Sequence, residues 1–250
     1  MTKGFDMHRV INHIKRDVVL VKSTIGTTLL VSAGLLFMLC VLAQLWDKKL
    51  DSDEFMGAFS LIYFISGSVL SFSFFREAHH AKANSLYFTL PISSFERISA
   101  VWLATAVLYT FVFSIMGILV GCMSIFFGSL FFGADFTLSA LFSMGYWQAV
   151  AVYLTIQPVS LFGALTFKSN RIGKTLLFIV LTVLGFALFN IMTYGLLNYG
   201  YDVFDGGPLR NQAMEKTESD LSILGKSLFV IISGPILLIV TYFKLVEREV

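Results

Sequence analysis

Few residues of this chain have the types and spacing that catalysis or metal binding requires. His79 and His80 lie beside Glu77, and imidazole and carboxylate groups together can bind a metal ion. Adjacent histidines point to different faces of a helix, however, and the chain has no H-E-x-x-H motif. Cys40 and Cys122 lie in apolar runs, which favours buried thiols over a disulfide or a metal ligand. We therefore predict no metal site and no catalytic residue.

Two short sequences are similar to the end of a phosphate-binding P-loop, GKT at 173–175 and GKS at 225–227. The first glycine of the motif is missing from both, because Lys168 and Asp220 occupy its position. We expect that this chain binds no ATP and no other cofactor. The longest connection between its apolar runs has about 25 residues, which is less than the roughly 50 residues of an autonomous soluble domain.

Six apolar runs form the elements that must position any functional residue. The chain is 56% hydrophobic, and its mean hydropathy is +0.79. An unpaired charge at the centre of a membrane span costs roughly 2.5–3.5 kcal/mol, and these runs hold no acid or base except Lys244 at the end of the last one. We predict an all-α polytopic membrane protein with a single transmembrane domain over 1–250. Its predicted spans are 23–46, 55–75, 99–127, 138–167, 175–200 and 227–244.

Amides are the most polar groups inside these runs. Proton-coupled and ion-coupled carriers usually place acids or bases within the membrane, so their absence argues against a secondary transporter. Gln148, Gln157 and Asn190 are candidates for lining a translocation route. Hydrogen bonds between helices, worth about 0.6 kcal/mol each, are an equally open interpretation of these amides.

Basic residues are distributed unevenly between alternate connections. Thirteen of the 18 precede span one, lie at or beyond the end of span six, or lie between spans two and three or four and five. The positive-inside bias then places both termini on the cytoplasmic side of a cell membrane (plasma or inner).

Residues 5–22 repeat apolar side chains at helical spacing. We expect Val10, Ile14, Val18 and Val21 on one face, with Arg9, His13, Lys15 and Arg16 towards the other. This segment is either a helix in the cytoplasmic interface or a polybasic anchor that fixes orientation.

The connection between spans two and three carries the clearest local signal. Pro91 cannot lie inside a helix, and Ser93 and Glu96 have the spacing of a capping box. A new helix is therefore predicted just after Pro91, running into span three. The preceding apolar residues Leu86, Tyr87, Phe88 and Leu90 form either a docking surface for another protein or a segment that rests on the membrane or on neighbouring helices.

The stretch LPISSFER at 90–97, the short helix before span one and the six predicted spans together resemble the permease subunits of type-2, exporter-type ATP-binding-cassette (ABC) transporters. The resemblance implies that the connection after span two forms a coupling helix, which meets a separate ATPase subunit. It implies docking roles for Tyr87, Leu90, Pro91, Ser93, Phe95, Glu96 and Arg97.

The resemblance also implies a function. The chain would be a non-enzymatic permease subunit that pairs with a second permease, identical or related, and with ABC ATPase subunits that hold ATP and Mg²⁺. A weakly polar, Phe-rich route suggests an amphipathic or lipid-like export substrate. The alternative is a non-transporting scaffold or accessory subunit that recruits a cytoplasmic partner, and a membrane enzyme comes third. We expect a lipid environment and no nucleic-acid partner.

Overall fold

Helices account for every regular element in the described part of the chain. The computed structural model describes residues 5–48, 50–75, 92–132, 143–167, 169–197 and 234–249. Within these ranges there is no strand. The elements are α1 (Met7–Leu20), α2 (Lys22–Asp47), α3 (Ser52–Phe74), α4 (Ser94–Trp102), a π-helical segment (Leu103–Leu108), α5 (Tyr109–Phe132), α6 (Met144–Thr166), α7 (Arg171–Leu197) and α8 (Gly234–Glu249).

Five helical stretches are long and apolar enough to cross a bilayer. They are Lys22–Trp46, Ser52–Phe74, Ser94–Phe131, Met144–Thr166 and Arg171–Thr193. This agrees with an all-helical, multi-pass membrane protein and with the first five predicted spans. The sixth predicted span, 227–244, overlaps the 16-residue α8, but its first seven residues lie outside the described ranges. The sixth span and the orientation of the termini stay predictions.

Helix α1 agrees with the predicted helix over 5–22. The Asp6 carboxylate caps it by accepting a hydrogen bond from the backbone N–H of His8 at 2.9 Å. Val10 is buried, as predicted for the apolar face. The placement of His13 on the polar face was wrong, because His13 and Asp17 are buried with Val10 at the i, i+3 and i+7 positions of one helix face. Whether α1 lies in a membrane interface stays a prediction.

Helices α3 and α6 pack closely against each other. A Cβ atom built on Gly67 of α3 would lie 2.4 Å from Cε2 of Tyr153 on α6, so only a residue without a side chain lets the two helices approach this closely. The ring of Tyr153 also contacts the rings of Tyr63 and Tyr109, with centroids 4.4 and 5.5 Å away. Around this contact α2 packs on α3 and α5, α7 packs on α6, and α8 packs on α6 and α4.

The two cysteines differ in their surroundings. Cys40 on α2 is buried, as predicted, whereas Cys122 on α5 is exposed, so its predicted burial was wrong. Lipid is as apolar a solvent as a protein core, and an apolar run therefore does not say which of its residues face inward.

Candidate functional site

The start of α4 has the capping box that the sequence predicts. The side-chain oxygen of Ser93 accepts a hydrogen bond from the backbone N–H of Glu96 at 3.3 Å. In return, Oε2 of Glu96 accepts from the backbone N–H of Ser93 at 2.9 Å. Both bonds satisfy N–H groups that the first turn of a helix otherwise leaves without a partner, which fixes the start of the helix at Ser94.

The same Glu96 carboxylate also holds α1 in place. Its Oε1 accepts from the backbone N–H of Asp6 at 2.8 Å and pairs with Nη2 of Arg9 at 3.0 Å. The Glu96 side chain is fully buried, whereas that of Arg9 is 26% exposed. We call this arrangement of Asp6, Arg9, Ser93 and Glu96 the Glu96 clamp. It joins segments about 90 residues apart, and the sequence contains no signal of that pairing beyond the opposite charges.

A second buried group of charges adjoins the clamp. Asp17 accepts at 3.2 Å from Arg16 and lies 3.3 Å from Nε2 of His13. Burial, followed by the positive charges of Arg16 and Arg97, lowers the pKa of His13 to about 4, which outweighs the opposing effect of the Asp17 carboxylate. His13 is therefore neutral at pH 7. The fully buried Arg97 supplies a positive charge between α4 and α1.

Aromatic side chains lie at the surface of the protein beside the clamp. Phe95 is 58% exposed and meets Phe5 edge to face, with ring centroids 5.8 Å apart. The ring of Tyr242 on α8 also lies edge to face with Phe95, with ring centroids 6.4 Å apart. We call Phe5, Phe95 and Tyr242 the aromatic patch. Three separate parts of the chain contribute to it, so it depends on the tertiary structure and not on one segment.

The predicted docking residues do not all reach the surface. Tyr87, Leu90 and Pro91 lie outside the described residues. Ser93 uses its hydroxyl to cap α4, and Glu96 and Arg97 are fully buried within the chain. Glu96 and Arg97 therefore present no exposed side chain to a partner, whereas Ser93 and Phe95 are exposed. Phe95 is the large apolar member of the set that the described residues leave exposed, and the docking roles stay predictions.

The predicted pathway amides do not share one surface. Gln157 is fully buried, and its Nε2 donates to the hydroxyl of Thr105. Gln148 is exposed, since nine residues along α6 amount to two and a half turns and place it on the opposite face from Gln157. The side chain of Asn190 lies outside the described set. Gln148 and Gln157 therefore do not share a surface within one copy of the chain, and the proposal that these amides line a route stays a prediction.

Gln157 instead belongs to a row of hydroxyl groups that lies between three elements: α3, α6, and the π segment with the α5 helix that continues it. We call this row the hydroxyl seam. The hydroxyl of Tyr153 donates to the carbonyl of Thr105 at 2.8 Å, and that of Tyr109 donates to the carbonyl of Tyr63 at 2.8 Å. Further members are Ser66, Thr110, Ser114, Tyr146, Ser68 and Ser160. From Tyr146 to Ser160 the seam follows about 21 Å of α6, most of a hydrocarbon core of about 30 Å. Sequence reasoning missed it, because hydroxyl residues alone do not reveal their partners.

The seam has one unsatisfied acceptor among the described residues. Oε1 of Gln157 is buried and accepts no hydrogen bond there. In the described ranges no group of three or more histidine, cysteine or acidic residues could hold a metal ion, and His79 and His80 lie outside those ranges. The geometry therefore offers a clamp at one end of the bundle and a packed polar seam inside it. No family model, curated protein or solved structure matches this chain.

Proposed function

We propose that this chain is the transmembrane permease subunit of an ATP-driven ABC exporter. It forms the translocation path together with a second permease subunit. Separate ATPase subunits bind to it beside the start of α4. ATP and Mg²⁺ bind to those partners, and this chain converts their movement into movement of its helices. The observation that carries the proposal is the Glu96 clamp with its exposed aromatic patch.

A continuous helical rod supports this reading. Helix α4, the π segment and α5 run without a break over 39 residues, which corresponds to about 58 Å at 1.5 Å per residue. A bilayer with its headgroups is about 40–45 Å thick, so the rod either tilts strongly or extends past the membrane at one end. The end with the buried charges of Glu96 and Arg97 is the one suited to extend, because the other end carries no charge.

The clamp provides the mechanical connection that coupling requires. A force applied at Phe95 acts on the first turn of α4, next to Glu96. Because Glu96 also holds Asp6 and Arg9, the force moves α1 together with α4. The α1–α2 junction at Val21 and the rod then pass the displacement to α2 and α5.

A scaffold or accessory subunit without transport is the second candidate. The observation that favours it is the hydroxyl seam, which fills the middle of the bundle with Tyr63, Tyr109 and Tyr153 and leaves no polar route through the described part of one copy. Under the transport proposal the route lies between two permease subunits. Under the scaffold proposal there is no route, and the aromatic patch recruits a partner that does not hydrolyse nucleotide.

Co-purification with hydrolysis measurements tests the proposal. The tagged chain is purified from its own host, its partners are sequenced by mass spectrometry, and ATP hydrolysis by the complex is measured in liposomes. We expect an ATPase with an intact P-loop. Phe95→Ala removes the exposed anchor of the patch, and an aromatic hot spot is worth about 2 kcal/mol, so the affinity for the ATPase should fall more than tenfold.

The matched control is Phe111→Ala, which removes another exposed phenylalanine, in the apolar middle of the rod. It should leave both association and hydrolysis unchanged. If Phe95→Ala keeps full association and coupled hydrolysis, the patch is not the coupling surface. Recovery of a partner without any nucleotide hydrolysis would favour the scaffold function instead.

A further inference from the structure

An apolar groove lies where α1, α2, α3 and the rod meet. It has a volume of about 130 Å³, close to the roughly 150 Å³ of an engineered apolar cavity that accepts benzene. Its lining includes no charged side chain. The two hydroxyl residues in its wall, Thr105 and Tyr109, donate their hydrogens to the carbonyls of Val101 and Tyr63. The groove therefore offers hydrocarbon contacts only, and water has no partners in it.

The groove opens towards the outer surface of the bundle. Leu108 and Val112 belong to its lining and are themselves 43% and 37% exposed. One wall is built by the π segment, where Ala104, Thr105 and Leu108 line the groove. π-Helical turns are rare, and they are frequent at functional sites because they shift the register of the residues that follow. An occupant would therefore enter from the lipid side, past the rod.

Exposed lysines stand beside the groove at the end that α1 covers. Lys22 precedes the lining residue Ile25 by three positions on α2, and residues three apart are neighbours on a helix surface. Lys15 precedes the lining residue Val18 by the same spacing on α1. Both lysines are exposed, and neither pairs with a carboxylate of the described residues.

We propose that this groove binds one acyl chain of an anionic phospholipid from the leaflet that borders α1. The chain lies against Ile25, Leu29 and Leu108, and the headgroup phosphate is held by Lys22 and Lys15. Charge complementarity selects an anionic lipid, because two ammonium groups without a carboxylate partner among the described residues lie beside a site that has no acid in its lining. The lipid would connect α1 with the rod. This inference requires a membrane, but it does not require that the chain transports anything.

Lipid binding to the delipidated, detergent-purified protein tests the site. Affinities for dioleoyl phosphatidylglycerol and dioleoyl phosphatidylcholine, which share their acyl chains, are measured by native mass spectrometry. Each lysine near a charged headgroup contributes enough for the pair to give about a tenfold or greater preference for phosphatidylglycerol. The double variant Lys15→Gln/Lys22→Gln should abolish this preference. Lys174→Gln, at an exposed lysine on α7, should keep it.

A second variant tests the apolar half of the site. Val112→Trp places an indole across the mouth of the groove, at a position exposed enough to tolerate it, and should weaken binding of both lipids. Equal affinity for the two lipids in the unaltered protein would overturn the proposal. So would a preference that survives the double lysine variant. Disulfide cross-linking of Val112→Cys into a dimer that excludes lipid would identify a second copy as the occupant, and would overturn it as well.

Discussion

Replacing Gly67 by alanine should destabilise the bundle, because the α3–α6 contact has no room for a methyl group. A Cβ atom there would lie 2.4 Å from Cε2, 2.5 Å from the hydroxyl oxygen and 2.7 Å from Cζ of Tyr153. Carbon atoms in contact normally lie about 3.5–4.0 Å apart, so the new methyl group is roughly 1 Å too close. Tyr153 is fully buried and cannot swing into open space.

The magnitude follows from three contributions. Overpacking of a tight core costs about 1–3 kcal/mol. Displacing the Tyr153 ring also weakens its hydrogen bond to the carbonyl of Thr105, worth about 0.5–1.5 kcal/mol. Alanine is favoured over glycine inside a helix by up to about 1 kcal/mol, which offsets part of this loss. We therefore expect Gly67→Ala to lower the free energy of unfolding by about 2 kcal/mol.

Reversible unfolding in mixed micelles, titrated with sodium dodecyl sulfate, measures this change. The matched control is Gly57→Ala on the same helix, where a Cβ atom would meet nothing within 4 Å. It should be neutral or slightly stabilising. A Tyr153→Leu background should reduce the cost of Gly67→Ala, since the clashing ring is gone, and the two substitutions should couple by about 0.5 kcal/mol or more. Equal stability of the two alanine variants would refute the packing argument.

Two further predictions concern the clamp and its neighbours. Glu96→Gln removes the buried carboxylate that pairs with Arg9 and should lower the free energy of unfolding by about 3 kcal/mol. Glu247→Gln, at an exposed ion pair with a lysine, should change it by less than about 1 kcal/mol. Denaturant unfolding in micelles compares the two variants. In the folded chain the pKa of His13 is about 4, below its ordinary value of 6.5. Between these two pH values the unfolded chain therefore binds more protons than the folded chain. The contribution of His13 to stability is complete above pH 6.5 and should be lost as the pH falls towards 4. Thermal midpoints at about pH 7 and pH 5 measure this, and His13→Gln should flatten the dependence where His8→Gln, at an exposed position, does not.

Local rules explain how much of the fold the sequence predicts. Charge-free apolar runs of bilayer length identify the first five spans, because the cost of burying charge in lipid depends on composition and not on neighbours. The start of α4 is equally local. Ser93 and Glu96 lie one helical turn apart, so the box between them needs no distant partner.

The contacts between helices, and the direction in which each side chain faces, depend on which helices meet. The sequence does not indicate these. Nothing in residues 5–22 indicates that Asp6 and Arg9 meet Glu96, or that His13 turns inward. A span that is apolar on all sides has no polar stripe to distinguish its outer from its inner face, so the sequence does not show that Gln148 and Gln157 lie on opposite faces of α6.

The sequence by itself therefore predicted a lipid environment for the apolar helices, and it predicted where the helices lie and how α4 is capped. These features follow from free energies that depend on each segment alone. Tertiary structure decided which polar groups share a partner: it buried Glu96 and Arg97, left Phe95 at the surface and assembled the hydroxyl seam. The physical reason is that lipid does not distinguish the faces of an apolar helix. Close packing at residues such as Gly67, and hydrogen bonds between helices, select the arrangement instead.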